Sequence, residues 1–479
     1  MTQQNPFFSP FETPFQMPPF NLIKNDHFLP AIQQGIIQAR IEINEITECL
    51  DPPSFENTIE ALEGSGTLLD KVSNVLFNLN SAETSDELQK IAQEVSPMIT
   101  SLNNEIKLNK KLFERVKFVY DLNDSLSGEQ QMLLEKTYKS FTRNGAGLDS
   151  KSQKRYKEIT VALSSMELKF GENVLAETNN YELVIEKLDD LSGLPQDLID
   201  RAKLLAVETQ RSDRWIFTLQ APSFIPFMEN ADQRGLRKQL FIAYMQKAFK
   251  GGEYDNRDLV LKIIQLRAEM AELLGYDSYS SYVLEERMAE NPTRVQGFLY
   301  DLLSKSKDKS IQEVDEVKKF MGTLGINHRL ERWDWAYYAE KLRKKKFDFD
   351  DELLKPYFKL EKVINGVFKT AEKLFGLTFK INNKIPVYHD AVKAYEVWEK
   401  QELKAIFLTD YFPRSGKRSG AWMTSYRGQK KVNGQRIIPQ VSIVCNFTPS
   451  TENRSSLLKF DEVKTLFHEF GHALHGMLA

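Results

Sequence analysis

The chain has 479 residues, a mass of 55.4 kDa and a net charge of −3, from 64 basic and 67 acidic side chains. At about 150 residues per domain, this length corresponds to about three domains. The near-neutral charge argues against nucleic acid or an anionic membrane surface as the main partner. Disorder is excluded as the general state, because 31 Phe, 17 Tyr and 5 Trp residues provide ample apolar surface to bury.

Cysteine usage and hydropathy indicate the compartment. Cys49 and Cys445 lie far apart and form no Cys-x-x-Cys pair, which predicts a reducing compartment and two buried thiols. No run of 18 apolar residues occurs, so no membrane-spanning helix is expected. The first residues show neither a basic nor an apolar segment typical of a signal peptide. We therefore expect a cytoplasmic protein, and the periplasm stays open for a chain whose signal was removed.

The first twenty residues alternate proline with phenylalanine. Five of each occur there, and proline at this density excludes a helix. The pattern predicts an extended arm whose phenylalanine side chains pack onto the body of the protein.

Residues 22–375 are predicted to be mostly helical. Thr84 and Glu87 have the spacing of a capping box, which predicts a helix start at that point. Asn256 and the preceding aspartate predict a second cap, and Gly275 predicts the end of that helix. The apolar stripe between them marks a buried face: Ile263, Leu266, Met270 and Leu273.

Residues 378–447 change to short apolar and aromatic runs, which predict a small β region. The last run, residues 440–447, alternates with a period of two and predicts a strand. A helix is expected to follow over residues 460–479, with Asp461 as its N-cap. Its predicted buried stripe is Phe460, Val463, Phe467, Phe470 and Leu474.

This last helix carries the motif His-Glu-x-x-His at His468, Glu469 and His472. Residues i and i+4 lie one above the other on a helix, so both histidines can bind one zinc ion. Glu469 is rotated by about 100° from His468, which leaves its carboxylate free of the metal. It is predicted to act as the general base that takes a proton from the attacking water.

Alternatives to this hypothesis stay open at the level of the motif. The histidines could belong to a helix face whose side chains are satisfied by hydrogen bonds. His475 shares the face and could be a third ligand, although it is more simply explained as a packing residue. The metzincin extension is absent, because it requires glycine where His475 stands.

Longer segments resemble one known family. Residues 468–477 (HEFGHALHGM) are similar to the zinc helix of the thimet oligopeptidase family of zinc metallopeptidases. Residues 333–358 resemble the bacterial peptidyl-dipeptidase branch of that family most closely. Further segments with family likeness are residues 20–31, 54–84, 410–423 and 444–447.

The resemblance implies a mainly α fold: a helical, two-lobed ellipsoid with a deep channel and a small β region before the zinc helix. It implies an N-terminal helical domain at residues 1–221 and the start of a catalytic domain at residues 222–479. It also implies hydrolysis of short oligopeptides by a monomer, with one zinc ion on His468 and His472, and Glu469 as the base.

One departure from the family concerns the third zinc ligand. In the family this ligand is a glutamate on a following helix, about twenty to thirty residues further along the chain, and this sequence does not contain that position. We therefore expect an N-terminal portion of a zinc peptidase, which is inactive by itself. The alternative is a truncated, catalytically inactive peptide-binding protein. The choice between endopeptidase and peptidyl-dipeptidase activity stays open.

Overall fold

A computed structural model describes residues 5–122, 125–348, 350–432, 434–450 and 455–479. The fold is mainly α with a smaller β part, as predicted. The helices are α1 (Phe28–Thr47), α2 (Ala61–Gly64), α3 (Thr67–Ala82), α4 (Asp86–Lys107), α5 (Lys110–Leu122), α6 (Gly128–Thr142), α7 (Ser150–Asn179), α8 (Gln196–Glu208), α9 (Ala221–Asn230), α10 (Arg234–Met245), α11 (Arg257–Leu273), α12 (Tyr279–Leu284), α13 (Pro292–Thr323), α14 (Arg332–Phe347), α15 (Leu360–Phe375) and α16 (Phe460–Leu478). The strands are β1 (Glu182–Ile185), β2 (Trp215–Thr218), β3 (Leu377–Ile381), β4 (Lys393–Glu399), β5 (Glu402–Asp410), β6 (Trp422–Arg427), β7 (Lys430–Val432), β8 (Gln435–Ile437) and β9 (Gln440–Val444).

Internal contacts divide the chain into two units. Unit 1 comprises Met1–Glu172 and Asn256–Gln296, and unit 2 comprises Asn173–Asp255 and Gly297–Ala479. The sequence-based division between residues 221 and 222 rests on resemblance rather than on contacts, and it stays a prediction. No helix among the described residues is both long and apolar enough to cross a membrane.

The N-terminal arm packs onto unit 1 through some of its phenylalanines. Phe7 is buried, and its ring centroid lies 5.4 Å from that of Phe28 in α1. Two short 3-10 turns, Pro6–Phe8 and Pro14–Gln16, interrupt the extended backbone. Phe8 is exposed, so the expectation of packing does not hold for every phenylalanine.

The predicted helix starts differ in accuracy. The cap predicted at Thr84 is wrong by one residue, because the Ser85 hydroxyl accepts the Leu88 N–H and α4 begins at Asp86. Thr84 instead donates to the side chain of Asn80. The cap at Asn256 is confirmed in position, and three members of the α11 stripe are buried: Ile263, Leu266 and Met270.

One sheet in unit 2 was not predicted. β1 and β2 pair antiparallel, with Leu183 opposite Phe217. Both side chains are buried in a local core with α8 and α9. Four-residue strands separated by a helix give no extended period-two pattern, so the sequence shows only buried apolar residues there.

The predicted β region forms a five-stranded sheet in the order β3-β4-β5-β9-β6. β5 and β9 run parallel and the other neighbours run antiparallel. The strand predicted over residues 440–447 ends at Val444, although the Cys445 N–H still donates to the Asp410 carbonyl at 2.7 Å. All five residues of β9 are buried, because a central strand is covered on both faces. Edge strand β6 and the β7–β8 pair were not predicted.

The cysteines differ in burial. Cys445 is fully buried, as predicted, but Cys49 is only partly buried. Burial raises the pKa of the Cys445 thiol far above its usual 9.0. The prediction of two buried thiols is therefore right for Cys445 alone.

Candidate metal centre

Helix α16 carries the predicted site and begins about two turns before His468. Its N-cap is Lys459 and not Asp461, which lies in the first turn instead. The Glu462 carboxylate accepts the Lys459 N–H at 2.8 Å and the Thr448 N–H at 2.7 Å. A carboxylate in the first turn satisfies N–H groups that the helix leaves free and also complements the helix dipole.

The buried face of α16 is rotated from the predicted one. Phe470 is buried as expected, but Phe460 and Phe467 are 50% and 43% exposed, so these two predictions are wrong. Val463 and Leu474 are partly buried against the same core. The residues that face the sheet and α15 are Leu466, Glu469, Phe470, Ala473 and Met477.

A glycine lets the helix lie close to the sheet. A Cβ atom at Gly476 would lie 3.1 Å from Met423 of β6 and 3.4 Å from Val441 of β9. Contacts at this distance leave little room for a side chain. The absence of a side chain at Gly476 therefore helps to fix how the C-terminal half of α16 rests on β6 and β9.

The two histidines of the motif converge. His468 and His472 are exposed, and their Nε2 atoms lie 3.2 Å apart, with ring planes 85° to each other. Two nitrogens that each bind zinc at 2.0–2.1 Å with tetrahedral angles lie about 3.3 Å apart. The pair therefore fits two neighbouring ligand positions of a single zinc ion.

Glu469 lies beside the pair and is turned into the protein. It is only 7% exposed, and its negative charge contributes to the raised pKa of the neighbouring Cys445 thiol, for which burial is the larger cause. Within the part of the chain that the structure describes, its carboxylate has no hydrogen-bond or ion-pair partner. The Glu469 oxygens are not among the described buried polar atoms that lack a hydrogen-bond partner, so the carboxylate keeps contact with solvent, and water or a ligand can approach it.

The described residues do not complete a metal site. They contain no group of three or more His, Cys, Asp or Glu side chains that could hold a metal ion together. His475 is exposed and does not join the pair, and it is not packed behind it either. The chemistry of the two histidines fits zinc, but a structural or catalytic zinc site requires at least one further protein ligand.

A cavity of about 570 Å³ extends along the N-terminal half of helix α16. Thr465 lines this cavity and lies one helical turn before His468. The opposite walls come from α9 and from the backbone that enters β6: Ala221, Pro222, Ile225, Gly420 and Ala421. Polar groups at the floor include Asn446 and the ion pair between Glu229 and Lys459 at 2.7 Å.

Sequence reasoning identified the three motif residues but missed the cavity walls. Asn446 and Gly420 lie within segments whose family likeness was noted, but likeness assigns no role to a single residue. Glu229 was not predicted to line the site, because it lies 230 residues before Lys459 in the chain. Only the tertiary fold brings α9 and the residue that precedes α16 close enough for these two side chains to pair.

Known proteins match this chain along most or all of its length. The model for peptidase family M3 matches residues 227–479. Dipeptidyl carboxypeptidase of Escherichia coli is 34% identical over 100% of this chain and 71% of that protein. Oligopeptidase A of Salmonella typhimurium is 32% identical over 98% of this chain and 70% of that protein. A putative oligoendopeptidase F from Bacillus anthracis has a TM-score of 0.47 and 13% identity, over 92% of this chain and 64% of that one.

The family model thus includes α16 with its convergent histidines, and the relatives align along nearly the whole chain, from the N-terminal arm to the last helix. Together these matches show that the chain belongs to peptidase family M3.

Proposed function

We propose that this protein is a zinc-dependent metallopeptidase that hydrolyses peptide bonds in short oligopeptides. The observation that carries the proposal is the 3.2 Å separation of the two Nε2 atoms beside Glu469, a mostly buried side chain whose carboxylate pairs with no described residue. The family supports a peptidase, and the names of two relatives, dipeptidyl carboxypeptidase and oligopeptidase A, support short peptides as substrates.

His468 and His472 would hold the zinc ion in this proposal, and Glu469 would be the general base. When bound, zinc polarises the scissile carbonyl and lowers the pKa of the attacking water. Glu469 accepts a proton from that water and delivers it to the leaving nitrogen. The Glu469 side chain is only 7% exposed, and this burial keeps it in place between the two transfers.

The third zinc ligand is proposed to be a glutamate outside the 479 residues of this sequence. Two histidines bind zinc weakly by themselves, because structural and catalytic sites use three or four protein ligands. We therefore propose that these 479 residues alone are inactive, and that the catalytic domain starting near residue 222 is completed by further chain.

A purified sample of the 479-residue chain tests this proposal. We expect this sample to hold less than stoichiometric zinc after dialysis and not to hydrolyse a quenched fluorescent pentapeptide. A longer product of the same gene should hold stoichiometric zinc and hydrolyse the pentapeptide. Adding a chelator to the longer product should abolish hydrolysis, and zinc should restore it. A longer product that hydrolyses the peptide equally well in chelator would refute the zinc mechanism.

The alternative function is peptide binding without catalysis. The lack of a three-ligand group among the described residues favours it. It predicts that pentapeptide binds to the chain, that hydrolysis is absent from every product of the gene, and that His468→Ala leaves peptide affinity unchanged.

Three further predictions stay proposals: a cytoplasmic location, a monomeric state and no affinity for nucleic acid. Cell fractionation, analytical ultracentrifugation and a DNA-binding assay test them in that order. Whether cleavage releases C-terminal dipeptides or occurs within the peptide is decided by mass spectrometry of the products.

A further inference from the structure

The loop between β5 and β6, residues 411–421, contributes Gly420 and Ala421 to the wall of the cavity next to α16. Buried charged side chains around Asp410, the last residue of β5, hold the start of this loop, which we call its base. Lys417 and Asp410 have fully buried side chains. The Lys417 ammonium donates to a carboxylate oxygen of Asp410 at 2.8 Å, to the Asp410 carbonyl at 3.2 Å and to the Phe412 carbonyl at 2.8 Å. These three bonds use every donor that a lysine has.

Two more side chains complete this base. Arg414 donates to both oxygens of the Asp410 carboxylate, at 2.9 and 2.7 Å, and the Tyr388 hydroxyl donates at 2.7 Å. Burial lowers the pKa of Lys417 to about 8, and the attraction of Asp410 opposes that shift. A buried network with all partners present is rigid, so the start of the loop has one conformation.

The end of the loop is held separately, by one amide. Asn446 donates from Nδ2 to the carbonyls of Arg418 at 3.0 Å and of Gly420 at 2.7 Å. Gly420 has φ of +98°, a conformation that other residues rarely adopt. Gly420, Ala421 and Asn446 line the cavity together with Thr465, one turn before His468.

We propose that Asn446 is a positioning residue for peptide substrate. Its amide holds the backbone of residues 418–420 as a fixed wall of the cavity, against which an extended peptide lies on its way to the histidines. The buried base at Asp410 and Lys417 anchors one end of this wall, and Asn446 anchors the other. The proposal rests on the proposed peptidase function.

The chain offers a matched control at the other end of the same loop. Asn179 also donates from Nδ2 to a loop carbonyl, that of Ser415 at 2.8 Å. It does not line the cavity beside the histidines. Asn179→Asp and Asn446→Asp therefore remove the same kind of donor and add the same charge beside the same loop, although Asn179 donates one bond to the loop and Asn446 donates two.

The experiment measures binding of fluorescein-labelled pentaalanine by anisotropy, in EDTA so that hydrolysis does not intervene. We expect Asn446→Asp and Asn446→Ala to weaken binding about tenfold, the effect of losing two neutral hydrogen bonds at one wall. Asn179→Asp should stay within about twofold of the parent protein. Hydrogen exchange of the amides at residues 418–421 should be faster in the two Asn446 variants only.

Three outcomes decide between the explanations. Equal weakening by Asn446→Asp and Asn179→Asp would overturn the inference, because the position relative to the cavity would not matter. If Asn446→Ala unfolds at a lower urea concentration but binds pentaalanine as tightly as the parent, Asn446 has only a structural role. That result would also overturn the inference. A parent protein that neither binds nor cleaves peptide would overturn the proposed function and this inference with it.

Discussion

Unit 2 buries two carboxylates in opposite surroundings. Asp334 is fully buried in α14 and accepts hydrogen bonds from Arg234 at 2.8 Å and from Arg237 at 3.1 Å. Glu469 is nearly as buried in α16 but has no ion-pair partner among the described residues. In the sequence, Glu469 lies directly after His468 and three residues before His472, the two convergent histidines.

The difference between these sites is one of available partners. Arg237 is itself only 1% exposed, so it and Asp334 compensate each other and hold α10 against α14. Such a cluster has no capacity left for a ligand. In α16 the two histidine Nε2 atoms lie 3.2 Å from each other, and the Glu469 carboxylate has no hydrogen-bond or ion-pair partner among the described residues, so this site can still take a ligand. The first arrangement is typical of structure and the second of function.

The largest expected effect is on hydrolysis by Glu469→Gln. In a preparation of the protein that cleaves pentapeptide, we expect the rate to fall by about 10²- to 10⁴-fold, because the amide cannot take a proton from water. Zinc content should not change, since the carboxylate is not a proposed ligand. A variant that keeps more than about a tenth of the parental rate would contradict the role of Glu469 as base.

The same substitution should not weaken the fold. Because the Glu469 carboxylate has no hydrogen-bond or ion-pair partner among the described residues, we expect the urea-unfolding free energy of metal-free Glu469→Gln to lie within about 1 kcal/mol of that of the parent. Clear destabilisation would mean that Glu469 has a structural partner, and the comparison with Asp334 would fail.

Asp334→Asn should have the opposite effect on stability. Removing the charge leaves buried Arg237 without its counter-ion, and we expect a loss of about 3 kcal/mol in the free energy of unfolding. Urea denaturation followed by circular dichroism measures this. A loss below about 1 kcal/mol would show that the remaining bonds to backbone carbonyls suffice for Arg237.

The loss in Asp334→Asn should depend on pH. Burial alone would raise the pKa of Asp334, but hydrogen bonds donated by Arg234, the Glu331 backbone and Arg237 hold it below the usual 3.8. A carboxylate with a lowered folded-state pKa contributes its full stability above the unfolded value and loses it as the pH falls through the folded value. The difference between variant and parent should therefore be constant above pH 3.8 and shrink below it. A constant difference down to pH 2 would refute the ionic explanation.

The smallest effect is expected at a third carboxylate, Asp461, which is exposed in the first turn of α16. Its pair with Lys464 at 3.2 Å is solvated, and its interaction with the helix dipole is screened by salt. We expect Asp461→Asn to lower the free energy of unfolding by about 0.5 kcal/mol in low salt and by less in 1 M NaCl. A larger effect, or one that salt does not reduce, would require a partner for Asp461.

The fold class and the motif residues could be predicted because their signals are local. His468 and His472 are four residues apart, and helical geometry by itself brings such residues to one face. The cap at Asn256 and the stripe in α11 follow from the same short-range rules. The strands β1 and β2 could not be predicted by such rules, since four residues are too few to show an alternating pattern.

Which side of α16 is buried could not be predicted, because the helix carries apolar residues on more than one of its own sides. Phe467 and Phe470 are equally apolar in the sequence, and contact with the sheet buries the second and leaves the first exposed. The approach allowed by Gly476 selects that orientation. The burial of Glu469, on which the comparison with Asp334 depends, is a consequence of the same contact.

The mainly α fold, the helix that carries the site and the convergence of two histidines could therefore be predicted from local patterns, since helix periodicity acts over a few residues. Which side of that helix is buried, what lines the adjacent cavity and how the loop at residues 411–421 is anchored depend on the folded chain. Asp410 and Lys417, or Glu229 and Lys459, meet only because packing brings distant segments together. Such pairings follow from shape and charge across the folded unit, which no local pattern in the chain records.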